Sequence, residues 1–142
     1  MKELINNHWI FVITEYSNYN SGLKETLEEL NREHKWKIGL RTQNKQQLKK
    51  NDKSIFYVSG NDRMYFAASA VLNSNFINER DPIYGYVRLR NLCFFDKPVF
   101  TKPILGNLDF IKNKKHWGLH FQRGIVKISK RDYDKIIYES ST

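Results

Sequence analysis

The chain holds a single cysteine, Cys93, among its 142 residues, so it can form no internal disulfide and offers no cysteine-rich zinc site. Prolines number three and glycines seven, and no internal repeat, low-complexity tract or linker composition stands out. No apolar run approaches the roughly 18 to 20 residues that a membrane-spanning helix requires. The opening residues 1–8 (MKELINNH) lack an apolar stretch ahead of a small-residue cleavage site. These absences predict one soluble cytoplasmic domain over residues 1–142, with no membrane partner.

Catalytic signatures are equally scarce. The patterns GxGxxG, GxxxxGK[ST], GxSxG and HExxH do not occur. His116 and His120 stand four apart, but Gly118 lies between them and no acidic or cysteine partner is nearby, which argues against zinc. Cys93 sits in LCFF, a pattern that predicts a buried strand end and an inert thiol. Asp109, Asp132 and Asp134 are scattered without a pairing that suits acid–base work. The expectation is a protein that is not an enzyme and needs neither metal nor cofactor.

Acidic residues are also few. Fifteen Asp and Glu stand against 24 Lys and Arg, a net charge of +9 and a pI near 9.6. Such a surplus on a small domain favours an anionic partner. The basic residues lie among aromatics in strands and loops and not on a basic amphipathic helix, which favours nucleic acid over a membrane surface. Apolar residues make up 40% and aromatics 14% of the chain, enough for a core despite a mean hydropathy of −0.65.

Residues 8–14 (HWIFVIT) form a β-branched and aromatic run that predicts a buried first strand, ended by residues 18–22. Leu23, Leu27 and Leu30 then repeat at helical spacing, with Ser21 a candidate N-cap for a helix ending near Glu33. A short polar helix running to Lys50 is expected after the 39–44 segment, capped by Thr42 or Asn44. Residues 54–59, 64–72, 84–95 and 124–129 predict further strands. A hairpin loop at Gly60-Asn61-Asp62 joins the first two of these. Pro98, Pro103 and Gly106 mark an irregular crossing, and residues 130–139 a final helix. Strands in the middle and helices near both ends predict an α+β fold with a mixed or antiparallel sheet.

Within 84–90, alternation places Tyr84, Tyr86, Arg88 and Arg90 on one face. That face is either a surface for phosphates and bases or an ordinary solvent face with rings covering the arginine stems. Lys112, Lys114 and Lys115 precede Trp117, a pattern suited to phosphates followed by a stacking platform, and Trp36 is flanked by Lys35 and Lys37. Each tryptophan fits core packing as well.

The block HWGLHFQRGIVKIS (116–129), followed by Asp132-Tyr133, resembles the C-terminal signature of EVE domains. The preceding residues 108–115 and the opening strand 8–14 are similar to the same family. So is the segment 48–57, in which Asn51 stands where a glycine is usual. The resemblance implies a PUA-like twisted mixed barrel of five to six strands with flanking helices, related to YTH domains. It also implies a pocket at the barrel mouth for one extruded, often methylated base. The 39–44 segment (GLRTQN) occupies the place of the YTH cage segment, with Leu40 or Arg41 where the YTH tryptophan would stand. Thr42 and Asn44 are then readers of the base edge, Trp36 a substitute ring, and Trp117 and Phe121 further pocket residues. Arg123 matches an arginine of the EVE pattern and would contact phosphate or base. The implied partner is DNA or RNA. For members that form N-terminal modules of McrBC-type restriction systems, it is also a fused or associated motor. RNA binding without preference for a modification, and a small-molecule or enzymatic use of the same pocket, are the alternatives.

Overall fold

The structure, a computed structural model, describes residues 6–14, 23–60 and 64–141. Six strands form one mixed sheet: β1 (His8–Ile13), β2 (Lys35–Gly39), β3 (Lys53–Val58), β4 (Tyr65–Leu72), β5 (Tyr84–Phe100) and β6 (Ile125–Ile128). Their order is β2-β5-β4-β3-β1-β6. β1 and β3 run parallel and the other neighbours antiparallel. Helices α1 (Leu23–Glu33), α2 (Thr101–Ile104) and α3 (Lys130–Ser140) complete the α+β architecture. Ser21, residues 18–20 and Asn61-Asp62 lie outside the described residues.

All six positions of β1 are buried, because both faces of this strand are covered. Trp9, Phe11 and Ile13 point into one core cluster and Ile10 and Val12 into another. The first cluster takes side chains from every strand, including Trp36 of β2 and Ile125 of β6, and Leu30 of α1. Two edge strands can share a core only if the sheet curls, and the result is a half-barrel. The second cluster coats the outside, where Ile104, Leu108, Ile111, Phe121, Tyr133 and Ile136 cover Ile10, Ile55 and Tyr57.

Two buried carboxylates pin the chain. Asp52 accepts hydrogen bonds from Trp9 Nε1 (2.8 Å), Asn7 N (3.0 Å) and Lys49 N (3.1 Å). The neighbouring Asn51, at the position where the family resemblance leads one to expect glycine, has φ 79°. Asparagine is among the few side chains that tolerate this left-handed conformation. Asp132, in the first turn of α3, accepts from Asp109 N (2.8 Å) and Phe110 N (2.9 Å). Its own N–H donates to Ser129 Oγ, the N-cap of that helix.

Several elements differ from the sequence expectation. Residues 35–39 form an edge strand that their short alternation did not announce. The polar helix toward Lys50 is only a 3-10 turn, Lys45–Gln47, whose N-cap Asn44 makes no side-chain cap bond. β5 continues through Pro98 to Phe100, because the chain bulges between the pairs Ala68–Phe94 and Phe66–Val99. Cys93 is exposed and not buried; it sits on β5 just before that bulge, so this part of the strand has one open face.

Candidate nucleic-acid interface

The site lies where the two edges of the sheet approach. After β2 the chain turns at Gly39, with Thr42 N–H donating to Gly39 O (3.0 Å) and Leu40 N–H to Ile83 O (2.9 Å). Asn44 adopts φ 70° and its Nδ2 donates across the seam to Ile125 O of β6 (3.5 Å). On the β6 side Gly124, at φ 28°, accepts from Val12 N (2.8 Å). A methyl group built on Gly124 would stand 3.5 Å from Thr42 Cγ2, so Thr42 and Gly124 face one another across the gap.

Between these loops opens a cavity of about 420 Å³ lined by Gly39, Arg41, Thr42, Gln43, Gln122, Arg123 and Gly124. A second cavity of about 380 Å³ adjoins it through Gln122 and Gly124. Val12, Tyr57, Met64 and Phe121 line the apolar part of that second cavity. Beneath Thr42 a small void of about 50 Å³ reaches Trp36, Ile38 and Ile125. None of these lining residues carries a negative charge, while Arg41 and Arg123 are exposed at the rim. Two guanidinium groups suit phosphate or a carbonyl edge. Two glutamine amides can each donate and accept. The chemistry fits a hydrogen-bonding, anionic ligand.

Below the apolar part, Phe121 stacks on Tyr57, with ring centroids 3.8 Å apart and an interplanar angle of 13°. Burial raises the pKa of the Tyr57 hydroxyl to about 12, against the opposing effect of its hydrogen bond with Thr101. The phenol is therefore neutral throughout the physiological range.

Of the residues expected at the pocket, Arg41, Thr42 and Arg123 line the main cavity and Phe121 lines its neighbour. The structure places the rest elsewhere. Trp36 is only 2% exposed. It packs edge-on against Phe56 and stacks near Phe11, so it is a core ring under the floor and not a cage wall. Asn44 spends its amide on Ile125 O and accepts from Gln47. Trp117, half-buried in the 3-10 turn Trp117–Phe121, meets Phe121 edge-on at 6.4 Å and packs on the outer core. Lys114 donates to Leu105 O (3.1 Å) and Leu108 O (2.7 Å), which ties down the turn after α2. Lys112 and Lys115 are exposed.

Arg88 and Arg90 sit at the opposite end of the β2–β5 ladder: Gly39 at the cavity pairs with Tyr84, and Lys35 with Arg88. Their alternation is as expected, but Arg88 lies over the Tyr86 ring at 5.5 Å and Arg90 bonds Leu72 O (3.1 Å). His120 Nε2 accepts from Asn113 N (3.0 Å), and no group of three metal-ligating side chains occurs among the described residues. Sequence reasoning missed Gln43, Gln122 and Gly124. The available signal was a glycine opening the last strand directly after a polar pair.

No family model matches the chain. A Bacillus licheniformis relative, described as the UPF0310 protein in gntR 5′region, is 49% identical over 35 residues, or 25% of this chain. The match spans only about a quarter (24%) of that relative's length. Human THYN1, solved in complex with 5-methylcytosine-containing DNA, superposes with a TM-score of 0.66 at 12% identity, covering 96% of this chain and 99% of that one. The YTH domain of Zygosaccharomyces rouxii MRB1, solved with N6-methyladenosine RNA, gives 0.55 at 14% identity over 99% and 91%. The chain thus shares the twisted α+β fold of human THYN1 and of the MRB1 YTH domain, in keeping with the barrel that the EVE-like C-terminal block implied.

Proposed function

We propose that this domain binds nucleic acid and holds one extruded base in the cavity between residues 39–43 and 122–124, acting by recognition and not by catalysis. The observation that carries the reading is a concave site lined by two arginines, two glutamines, a threonine and two glycines, with no acid, at the seam of the barrel. Support comes also from two proteins of the same fold that were solved with nucleic acids carrying methylated bases. Extruding a base costs a few kcal/mol of unstacking, which hydrogen bonds to its edge and apolar contact must offset. Thr42, Gln43 and Gln122 supply the edge contacts, and Arg41 and Arg123 the flanking phosphates.

Methyl recognition belongs to the adjoining apolar cavity. Val12, Tyr57, Met64 and Phe121 line a space that a methyl group could enter, worth on the order of 0.8 kcal/mol, or about fourfold in affinity. The test is fluorescence polarisation with matched single- and double-stranded DNA and RNA carrying cytosine, 5-methylcytosine, adenine or 6-methyladenine. One methylated base should bind about fourfold or more tighter than its parent. Arg123→Ala and Thr42→Val should weaken binding while the circular-dichroism melt is kept. Equal affinity across the panel leaves nucleic-acid binding without modification preference, and no binding at all rejects the proposal. Guiding a fused or associated restriction motor is a use that this reading accommodates, and it predicts preference for duplex DNA in the same panel.

A further inference from the structure

A third large cavity, about 390 Å³, lies along the outer edge of β6 and is lined by Phe110, Asn113, Leu119, His120, Arg123, Val126 and Lys127. Three features suit it to a nucleotide. Phe110 and Val126 are half-buried and Leu119 is 54% exposed, so the cavity offers an apolar platform on which a base can lie. Arg123 and Lys127 supply positive charge, and no acidic side chain is among the lining residues. The third feature is the strand edge itself. Val12 N–H donates to Gly124 O, and Ile10 faces Val126 and His8 faces Ile128. Antiparallel alternation then turns the peptide groups of Ile125 and Lys127 away from β1, toward the unpaired side of the sheet. Asn44 already takes Ile125 O there, which leaves the Lys127 peptide on the open edge of the strand, and Lys127 is a lining residue of the cavity. His120 accepts a hydrogen bond at Nε2, so in its neutral form its proton resides on Nδ1 as a further donor.

Arg123 lines both this cavity and the 420 Å³ base cavity. We infer that the β6-edge cavity receives the nucleotide next to the one whose base is extruded, with Arg123 on the shared wall bonding the phosphate between them. The inference rests on the base-binding reading above, and it makes the recognition unit at least a dinucleotide. Phe110, Leu119 and Val126 carry the flanking base, and the Lys127 peptide and His120 meet its edge.

The test uses fluorescein-labelled single strands of one sequence containing one preferred base, with the residue on its 5′ or its 3′ side either intact or abasic. Removing the flanking base on one side should weaken binding roughly 5- to 150-fold, the range for loss of one stacked base. Leu119→Ser, a change at an exposed position, should bind the intact and the abasic strand with equal affinity while keeping the wild-type melt. Wild-type protein that binds intact and abasic strands equally on both sides overturns this inference and leaves the base cavity standing. A Leu119→Ser protein that keeps the full discrimination moves the flanking base out of this cavity. Failure to bind any strand overturns both readings.

Discussion

Side chains that look alike in the sequence separate sharply once their partners are known. Asp52 and Asp132 are buried acceptors of backbone N–H groups, Lys114 is a tie for two carbonyls, and Asn44 is a latch across the seam. Arg41 and Arg123 reach the rim of the cavity instead. Residue type and spacing pointed to segments 39–44 and 116–124, parts of which border the main cavity, but could not divide its lining residues from the structural members within them. A hydrogen bond spanning 81 residues, as between Asn44 and Ile125, leaves no local trace. The same holds for His8, buried on β1 beside Tyr133 with ring centroids 5.0 Å apart. Burial, and next the charge of Lys53, lowers its pKa below the ordinary 6.5. The unfolded chain then binds a proton that the folded chain does not, so stability is full above about pH 6.5 and falls as pH drops through that window. Urea denaturation at pH 7.5 and pH 5.5 should show a loss in the wild type that His8→Gln reduces.

Strands were most legible where burial is two-sided or strictly alternating. β1, β3 and the first half of β5 follow from HWIFVI, SIFYV and YGYVRLR, because the pleat sends successive side chains to opposite faces. β2 was not assigned, since five residues with lysines at alternate positions carry little signal by themselves. The sheet order could not be read either, because the parallel β1–β3 contact depends on the crossover through α1 and β2. β5 shows how one position governs an element. Residues 76–77 cross over it, Ile77 and Tyr86 exchange both backbone hydrogen bonds at 2.8 Å, and Gly85 lies directly below. A methyl group on Gly85 would collide with the Phe76 ring and stand 2.5 Å from the Ile77 carbonyl oxygen. Gly85→Ala should therefore cost roughly 3 kcal/mol, the upper part of the range for overpacking, measured as a lowered urea midpoint.

Taken as one body, the molecule carries +9, and among the described residues its cations lie in more than one region. Lys112 and Lys115 lie exposed before the 3-10 turn, and Arg88 and Lys35 crowd the Tyr86 ring at the far end of the β2–β5 ladder. The net charge predicted an anionic partner but not where it would sit, because the arginines of the proposed site are a small share of the total. If three or four phosphates are neutralised on a single strand, the log–log slope of affinity against salt should be about −2 to −3. Arg123→Ala should make it shallower by about 0.7, the value for one phosphate. A slope near zero in the wild type would reject an electrostatic interface.

The walls of the main cavity come from opposite edges of the sheet, one after β2 and one before β6, and a side-chain bond joins them where a strand ladder would otherwise close the barrel. A fragment that contains only one of those walls lacks the cavity. Occupancy and cooperative folding are therefore linked: a ligand at 100 times its Kd adds about 2.7 kcal/mol to the stability of the entire domain. A ligand that touched both walls would also bridge a seam that the backbone leaves open.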